Sequence, residues 1–465
     1  MRAFLVGLAR LVLRIFFRHI EVVGQEKVPA RAPVIFALNH PSALIDPMFI
    51  LGLANRPVHF LAKEPLFRMP IIGRLVRGVG CIPVYRAQDN ADPSENKTTF
   101  ERARAILASG GTIAIFPEGT SHDDPKLRVL KTGLARIALG AAQAGHNEIQ
   151  IVPAGLYYSD KGRFRSDALL CFGDPIAVKP LDLSEEGEPP TEAVRRLTAE
   201  VGRGLAVVTL QSERQETLDA IAWAERLYSA DGDIKSRGVA SHFELERSFI
   251  ERYVELREHR PRDLLDIAEK ILSYDRQLAA LGLAASDLPS APFTAGLVVR
   301  ELALALFWLL FTPFAIAGAL LHYPAYQLTR TVASQMAGDE VDVVATIKVF
   351  AALTFYPLTW FATTVLVWAR FGPWLAIASI AVVPLSGWLA LVLQERWSRL
   401  RGGLIALAVF VFHRPYYGKL LAERQAIRNA IARLAGINDI SHALEDSMAC
   451  WIALIAAAVS SAMLF

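Results

Sequence analysis

Cysteine is scarce in this chain, and neither sign of charge dominates it. Three cysteines occur among 465 residues, Cys81, Cys171 and Cys450, with spacings that fit neither a disulfide framework nor a zinc-ligand pair. We therefore expect buried free thiols in a reducing compartment. The 49 basic and 46 acidic residues leave a formal net charge of +3, which is too small for the electrostatic footprint of a nucleic-acid-binding protein. The sequence thus predicts no nucleic acid among the partners.

Hydrophobic residues, by contrast, are abundant and form long runs. They make up 53% of the chain, and the mean hydropathy is +0.32, which is high for a soluble protein. Residues 302–323, 349–369 and 371–394 are each uncharged and largely apolar, and each is long enough to cross a bilayer core of roughly 30 Å as a helix. Residues 448–465 are a shorter fourth candidate. The sequence predicts an integral membrane protein with a transmembrane helical region over residues 301–465.

The topology of these spans stays open at this stage. Residues 395–447 carry eight arginines and lysines, which favours the cytoplasmic side, whereas residues 324–348 offer two. Three full crossings from a cytoplasmic N-terminal region would place the basic stretch outside. Either residues 302–323, which contain Pro313, are re-entrant, or another segment does not span. We expect the inner or cell membrane, with the N-terminal region in the cytoplasm.

Two other regions differ in character from the apolar runs. Residues 1–20 predict an amphipathic helix in the membrane interface, because Arg10, Arg14 and Arg18 fall on one face and apolar residues roughly opposite. A signal peptide is the alternative, but arginines interrupt the apolar stretch and no small-residue cleavage site follows.

Residues 183–300 begin with an acidic, proline-containing linker and continue with charged sequence of helical period. They predict a helical spacer or cap.

Between these regions, residues 21–182 alternate short apolar runs with amphipathic stretches of helical length. This alternation predicts an α/β domain with a mixed sheet flanked by helices. The expected strands are residues 34–38, 58–61, 113–116, 151–156 and 168–172, and the expected helices include residues 101–108 and 134–144.

The first motif, residues 39–47 (Asn-His-Pro-Ser-Ala-Leu-Ile-Asp-Pro), offers a histidine followed by an aspartate. An imidazole can remove a hydroxyl proton near neutral pH, and a carboxylate can fix its tautomer and stabilise its cation. His40 and Asp46 are therefore candidates for a base and its partner. Their offset would separate them by about 120° on a regular helix, so the pair requires a turn, which Pro41 and Pro47 favour. A surface turn with capping residues is the alternative.

The second motif, residues 116–122 (Phe-Pro-Glu-Gly-Thr-Ser-His), is a polar, glycine-containing turn after a strand. Its backbone N–H groups and hydroxyls, with Lys126, Arg128 and Lys131 close behind, can hold a phosphate. An ordinary connection between a strand and a helix would look much the same. His122 could assist the base, although a capping role in the turn is the simpler interpretation. Together the two motifs indicate acyl transfer.

These motifs stand among four blocks that resemble, in order, those of the phospholipid/glycerol acyltransferase family, over about residues 15–215. The first block, residues 39–46, implies that His40 is the base and Asp46 its partner. The third block, residues 116–120, implies that the acceptor binds there. The resemblance, together with the neighbouring turn, implies six candidates for binding the acceptor and its phosphate: Arg86, Glu118, Gly119, Thr120, Ser121 and Lys131.

The other two blocks complete the resemblance. Residues 63–86 resemble the second block, in which the arginine, here Arg86, contacts the acceptor phosphate. Residues 152–156 resemble the fourth block, which is linked with binding of the acyl donor. The residues that support the motifs without an assigned contact are Asn39, Lys63, Phe116, Pro117 and Pro153.

The chain departs from the commonest family pattern in two places. Five residues instead of four separate His40 from Asp46, and Ser121-His122 follows Thr120 where an arginine is usual. Both variants resemble a subgroup that includes the fungal glycerol-3-phosphate and dihydroxyacetone-phosphate acyltransferases and bacterial relatives with C-terminal membrane segments. The missing arginine leaves phosphate recognition to the basic residues Arg86, Lys126, Arg128 or Lys131.

The resemblance implies a membrane-bound O-acyltransferase of phospholipid synthesis. It would transfer a fatty acyl group from acyl-CoA or acyl carrier protein to glycerol 3-phosphate, dihydroxyacetone phosphate or 1-acylglycerol 3-phosphate. Transfer would be direct, without metal, prosthetic group or covalent acyl-enzyme, and membrane lipids are further expected partners. Acylation of another lysolipid and a catalytically silent lipid-binding scaffold are the alternatives. The presence of both His40 and Asp46 argues against a silent scaffold, because neither packing nor lipid binding requires that pair.

Overall fold

The computed structural model describes residues 1–69, 72–86, 95–143, 148–161, 164–181, 188–228, 238–288, 294–337 and 341–435. Its strands are β1 (Phe17–Val23), β2 (Val34–Leu38), β3 (His59–Lys63), β4 (Ile82–Val84), β5 (Thr112–Ile115), β6 (Ile149–Tyr158), β7 (Ser166–Phe172) and β8 (Ile176–Val178). The helices among and directly after these strands are α1 (Arg2–Phe16), α2 (Ile45–Leu53), α3 (Pro65–Arg68), α4 (Ile72–Gly78), α5 (Asn96–Ala108), α6 (Gly133–Gln143) and α7 (Thr191–Val207). The five predicted strands and the two predicted helices are confirmed, although α5 begins five residues earlier than expected.

The strands form one mixed sheet, as predicted from the sequence. Their order is β1-β7-β6-β2-β5-β3-β4, with β8 also paired to β6. Strand β2 is parallel to its neighbours β5 and β6, and β3 is parallel to β5 and β4. Because β2, β5 and β4 all point the same way, their carboxyl ends meet at one edge of the sheet. Both sequence motifs and Arg86 leave the sheet at that edge.

Both faces of the sheet are buried, because side chains along a strand alternate between them. Within β2, Val34, Phe36 and Leu38 belong to one core cluster, whereas Ile35 and Ala37 belong to the other. Helices α1 and α2 contribute to the first cluster, and α5, α6 and α7 contribute to the second. Each fully buried Val, Leu, Ile or Phe side chain stabilises the fold by about 1.5–3 kcal/mol. The sheet therefore gives the loops at its edge a rigid support.

The N-terminal helix is shorter than predicted, and one face of it packs into this domain. Helix α1 ends at Phe16, and Phe17–Val23 forms strand β1, so Arg18 does not share a helix face with Arg10 and Arg14. Strand β1 pairs in parallel with β7, and this long-range pairing overrides the helical periodicity of the local sequence. The large apolar side chains of α1 that remain exposed are Phe4, Leu11 and Ile15, and Met1, directly before the helix, is exposed as well.

The C-terminal half of the described chain is helical. Its helices are α8 (Gln215–Tyr228), α9 (Val239–His259), α10 (Pro261–Leu281), α11 (Ala295–Ala337), α12 (Val341–Phe371), α13 (Pro373–Phe412) and α14 (Arg414–Ala435). Three of the described helices are long and apolar enough to cross a membrane: α11 over Gly296–Met336, α12 over Ile347–Phe371 and α13 over Pro373–Phe412. They contain nearly all of the three predicted spans, and the fourth candidate, residues 448–465, lies outside the described residues.

The structure bears on one alternative left open for this region and on the extent of the last span. Helix α11 is continuous through Pro313, so residues 302–323 do not turn back at that proline. Helix α13 does not end near residue 394 but continues to Phe412, so the first part of the basic stretch is helical rather than a loop. Gly372 separates α12 from α13, and its φ of 86° lies in the left-handed region that glycine adopts without steric cost.

The described residues group into two compact units. The first comprises those within Met1–Gln215, Gly238–Phe243 and Leu320–Leu385 and includes the whole sheet. The second comprises those within Glu216–Arg237, Glu244–Ala319 and Ser386–Phe465, where α10 packs against α14. The domain boundaries expected at residues 20, 182 and 300 stay a prediction.

Candidate active site

The two polar motifs lie side by side because their strands are parallel neighbours. Ala37, near the end of β2, is paired with Ile115, the last residue of β5. The chain leaves β2 into Asn39 and His40, and it leaves β5 into Phe116 and the turn that follows. Sites near the carboxyl ends of parallel strands are common in α/β folds.

His40 and Asp46 are in direct contact. The Nδ1 atom of His40 lies 2.8 Å from Oδ2 of Asp46; the aspartate side chain is fully buried, and that of the histidine is 17% exposed. The predicted turn between them is present: the Ile45 N–H donates to the carbonyl of Ser42 at 3.0 Å, and Ala43 has a positive φ of 33°. Asp46 lies in the first turn of α2, where the positive end of the helix dipole favours a carboxylate.

Two further groups hold the Asp46 carboxylate. The backbone N–H of Ser42 donates to Oδ2 at 2.7 Å, and the hydroxyl of Tyr158 donates to Oδ1 at 2.6 Å. Burial, and next the charge of Asp46, raise the pKa of the Tyr158 phenol well above its usual value, so the hydroxyl stays protonated and remains a donor. The Tyr158 ring stacks on that of Phe17, with centroids 5.5 Å apart.

The sequence analysis did not identify Tyr158 as part of the site. It lies 112 residues from Asp46 in the chain, at the end of β6. The one local signal was a tyrosine two residues after the fourth block. Its contact with Asp46 depends on the position of β6 beside β2, which local patterning does not reveal.

The imidazole of His40 is fixed on its second side by an aromatic ring. It stacks on Phe116, with ring centroids 4.1 Å apart and an interplanar angle of 21°. With a proton on Nδ1 directed at Asp46, a tautomer inferred from the hydrogen-bond network, Nε2 is left with its lone pair. Nε2 is then the atom able to accept a proton from a substrate hydroxyl.

Asn39 ties the first loop to β6. Its side-chain nitrogen donates to the carbonyl of Leu156 at 3.0 Å, and its side-chain oxygen accepts the Leu156 N–H at 2.7 Å. In the same fourth block Pro153 is buried, and a Cβ added to Gly155 would lie 1.7 Å from the carbonyl oxygen of Val208. These contacts give the block a packing role, and its link with the acyl donor stays a prediction.

Glu118 does not project into solvent as an acceptor ligand would. Its side chain is fully buried. Oε1 accepts the backbone N–H of His40 at 3.2 Å, and Oε2 accepts the backbone N–H of Arg128 at 2.8 Å and pairs with Nε2 of His122. The buried carboxylate thus connects the two motif loops through hydrogen bonds. The contact between Glu118 and the acceptor, which the resemblance implies, stays a prediction.

Arg86 and the turn at Gly119 are brought together. The Nη1 atom of Arg86 donates to the carbonyl of Gly119 at 2.7 Å, and Gly119 has a φ of 79°, which favours glycine. Lys131 donates its N–H to Pro117 at 2.7 Å and keeps an exposed side chain, whose Cγ would lie 3.4 Å from a Cβ on Gly119. The structure therefore brings the guanidinium of Arg86 and the aliphatic part of the Lys131 side chain to one glycine turn.

The remaining candidates lie around this turn. The Thr120 hydroxyl donates to the carbonyl of Ser121 at 3.2 Å, and both residues are half-buried. Lys63 is exposed at the carboxyl end of β3, on the same edge of the sheet.

Neither a thiol nucleophile nor a metal centre emerges from the described residues. Cys81 and Cys171 are half-buried rather than buried as expected, and Cys450 lies outside the described residues. Burial raises the pKa of the Cys81 thiol to about 12, so it carries little reactive thiolate at neutral pH. In the part of the chain that the structure describes, no group of three or more His, Cys, Asp or Glu side chains is arranged to hold a metal ion.

Comparison with known proteins gives two matching family models. The model described as Acyltransferase matches residues 19–157, and the one described as Glycerol-3-phosphate acyltransferase 2 C-terminal domain matches residues 220–440. The first contains His40, Asp46, Arg86 and the turn at Gly119. The second covers the described helices α9 to α14.

Individual relatives fall into two groups. The chain is 26% identical to glycerol-3-phosphate O-acyltransferase 1 of Saccharomyces cerevisiae, over 78% of this chain and 61% of that protein. It is 28% identical to glycerol-3-phosphate O-acyltransferase 2 of the same yeast, over 74% of this chain and 49% of the relative. It is 30% identical to a 1-acyl-sn-glycerol-3-phosphate acyltransferase of Bacillus subtilis, over 34% of this chain and 73% of that protein. The chain therefore spans less than two thirds of the two yeast proteins and most of the shorter bacterial one.

Proposed function

The chain belongs to the phospholipid/glycerol acyltransferase family, and we propose that it transfers a fatty acyl group from acyl-CoA or acyl carrier protein to the hydroxyl of glycerol 3-phosphate. The observation that carries the proposal is the 2.8 Å contact between His40 Nδ1 and the buried carboxylate of Asp46. That contact leaves Nε2 of an accessible imidazole in place to act as a general base.

The proposed reaction is a direct transfer. Nε2 of His40 takes the hydroxyl proton as the acceptor oxygen attacks the carbonyl carbon of the donor thioester, and Asp46 stabilises the imidazolium that forms. The carbon–sulfur bond then breaks, the thiolate takes the proton from Nε2, and the free thiol and the new ester leave. General-base assistance of this kind contributes about 10²- to 10⁴-fold to the rate. No metal or prosthetic group takes part in these steps.

The acceptor is proposed to bind by its phosphate at the glycine turn. Arg86 and Lys131 meet at Gly119, and a guanidinium and an ammonium group suit a phosphate dianion. The hydroxyls of Thr120 and Ser121 supply further hydrogen bonds in this proposal. The buried carboxylate of Glu118 stabilises the conformation of this turn in the proposal.

Glycerol 3-phosphate is favoured over its acylated product as the acceptor. Two relatives named for glycerol 3-phosphate match over 78% and 74% of this chain. The family model that matches the helical region is also named for glycerol 3-phosphate. Dihydroxyacetone phosphate offers a similar hydroxyl and phosphate. The bacterial relative supports 1-acylglycerol 3-phosphate as the second candidate, but it matches 34% of the chain.

A transfer assay on the purified full-length protein tests this function. Labelled acyl-CoA and acyl-acyl carrier protein are offered separately with glycerol 3-phosphate, dihydroxyacetone phosphate, 1-acylglycerol 3-phosphate and a lysolipid that lacks a terminal phosphate, beside a His40→Ala control. We expect His40-dependent acylation of glycerol 3-phosphate. Transfer only to the last acceptor would replace the proposed substrate class, and no transfer to any acceptor would favour the silent scaffold.

We also propose that the protein is integral to the inner or cell membrane, with the sheet domain on the cytoplasmic side. Helices α11, α12 and α13 have the length and composition of spans, and the exposed Phe4, Leu11 and Ile15 of α1 are suited to a bilayer interface. Cytoplasmic placement would put the site where acyl-CoA and acyl carrier protein occur. Protease digestion of sealed vesicles of known orientation tests the placement through release of the sheet domain.

A further inference from the structure

We propose that His122 is a positioning residue that acts through the buried carboxylate of Glu118 to hold the catalytic His40 in place. The inference rests on the proposed function, in which His40 is the base. It gives a role to the histidine of the Ser121-His122 variant, for which the sequence alone favoured a capping role over assistance to the base.

The first observation is that one loop holds both backbone groups of His40. The His40 N–H donates to Oε1 of Glu118 at 3.2 Å, and the His40 carbonyl accepts the N–H of His122 at 3.1 Å. The position of the base therefore depends on the segment between these two residues. Phe116, two residues before Glu118, stacks on the imidazole, so the orientation of the ring depends on the same loop.

The second observation is that His122 completes the coordination of Glu118. Its Nε2 pairs with Oε2 of Glu118, which also accepts the Arg128 N–H at 2.8 Å. Both side chains of the pair are buried. A buried carboxylate is stabilised by each donor that it accepts, and without His122 the Arg128 N–H would be the remaining donor to Oε2 in the described contacts. Removing His122 should therefore let Glu118 shift and weaken the hydrogen bond that it accepts from His40.

The tautomer of His122 follows from its other contact. Its Nδ1 accepts the backbone N–H of Asp124 at 3.2 Å, so the ring proton resides on Nε2 and is donated to Glu118. The carboxylate of Asp124 lies 3.6 Å from Nδ1 and also pairs with Arg128. With both ring nitrogens engaged inside the protein, His122 is placed to support the turn rather than to contact the substrate.

The same segment also carries the proposed phosphate site. Gly119, which accepts a hydrogen bond from Arg86, directly follows Glu118 in the chain. One short loop thus joins the base to the acceptor-binding turn, and the His122–Glu118 pair fixes their relative position. A displacement of about 1 Å between a base and a bound hydroxyl can cost on the order of 10²-fold in rate.

Three substitutions of one residue separate this role from the alternatives. In His122→Gln, the amide nitrogen stands near the place of Nε2 and can donate to Glu118. In His122→Asn, the shorter side chain can replace Nδ1 as the acceptor for Asp124 but does not reach Glu118. His122→Ala removes both contacts.

We expect His122→Gln to keep kcat within a few fold of the wild type, and His122→Asn and His122→Ala to lose on the order of 10²-fold in kcat with little change in either KM. Rescue by glutamine and not by asparagine assigns the effect to the Glu118 contact. Equal kcat values for the glutamine and asparagine variants, at comparable melting temperatures, would overturn the proposal. A selective rise in acceptor KM would make His122 a substrate ligand instead.

Hydrogen–deuterium exchange gives a readout that does not depend on activity. The amide of His40 donates to Glu118, so we expect its protection to persist in His122→Gln and to fall in His122→Asn and in Glu118→Gln. Unchanged protection in all three variants would refute the coupling. A wild-type protein without acyl transfer would refute the proposed function instead, and the exchange measurement would still decide whether His122 holds the His40 loop.

Discussion

The hydroxyl of Tyr158 donates to Oδ1 of Asp46 at 2.6 Å, while Oδ2 of the same carboxylate faces Nδ1 of His40 at 2.8 Å. The aspartate is thus held from two directions, and its orientation toward the imidazole does not depend on His40 alone. The hydrogen bond from Tyr158 also partly neutralises the negative charge of the carboxylate, so it weakens the attraction between Asp46 and a protonated imidazole.

Tyr158→Phe should lower kcat, because the buried Oδ1 atom of Asp46 loses its hydrogen-bond donor. The pKa of Tyr158 is raised well above the usual value, mainly by burial, so the wild-type residue remains a donor at working pH. Without that donor, the Asp46 carboxylate is held less firmly and orients the imidazole less well. A hydrogen bond to a charged group stabilises by roughly 1.5–3 kcal/mol, so kcat should fall by about ten- to a hundredfold. The measurement is kcat with saturating donor and acceptor, beside a thermal melt in detergent.

Tyr157→Phe is the matched control, because Tyr157 is the preceding residue of β6 and points to the opposite face of the sheet. It is half-buried and packs edge-to-face on Phe243. Its kcat should equal that of the wild type. A kcat of folded Tyr158→Phe equal to that of the wild type would contradict the supporting role of Tyr158.

His40→Ala should reduce turnover by about 10²- to 10⁴-fold or more while the protein remains folded, because the base is lost and no core contact depends on the imidazole alone. Asp46→Asn should cost somewhat less, since the imidazole remains but loses the anion that orients it. The measurement is kcat with saturating donor and acceptor, beside a thermal melt in detergent. A nearly normal kcat in a folded His40→Ala protein would contradict the proposed mechanism.

Arg86→Lys should raise the acceptor KM by about ten- to a hundredfold and leave the donor KM unchanged. Lysine keeps the charge but cannot both donate to the Gly119 carbonyl and present a planar fork to phosphate. Arg77→Lys is the control, since Arg77 likewise donates to a main-chain carbonyl, that of Phe67, but is exposed on α4. If the two variants have equal kinetics, or if Arg86→Lys selectively affects the acyl donor, the phosphate assignment fails.

Gly155→Ala should destabilise the sheet domain by at least about 1–3 kcal/mol, the usual cost of overpacking a core. Its added methyl group would lie 1.7 Å from the carbonyl oxygen of Val208, so the chain must move apart there. Gly7→Ala is the control: apart from its chain neighbours and the local backbone of helix α1, no described atom lies within 4 Å of the added Cβ, and alanine favours a helix. A melting temperature of Gly155→Ala equal to that of the wild type would show that this close approach is not needed for stability.

The sequence alone determined the main elements of the fold and the chemical nature of the site. Strand β2 matches its prediction at both ends, because an apolar run of five residues between Pro33 and Asn39 is too short for a typical helix and has the length of a strand. That the loops of His40 and Gly119 each follow a strand was predictable too, whereas the parallel pairing of β2 with β5, which brings the loops together, was not. The apolar runs in α11, α12 and α13 were recognisable from length and composition, which are local properties.

The tertiary structure decided what local pattern leaves open. Strand β1 replaced the end of the predicted first helix because β7 supplies its hydrogen bonds, and α13 continues past residue 394 because helix propagation does not stop where hydrophobicity does. Tyr158 reaches Asp46 only because β6 lies beside β2. Likewise, Glu118 turned inward to His122 and to the backbone of His40. Residue type and spacing determine which chemistry is available, whereas the order of strands determines which groups meet, because hydrogen bonds act over about 3 Å and between segments far apart in the chain.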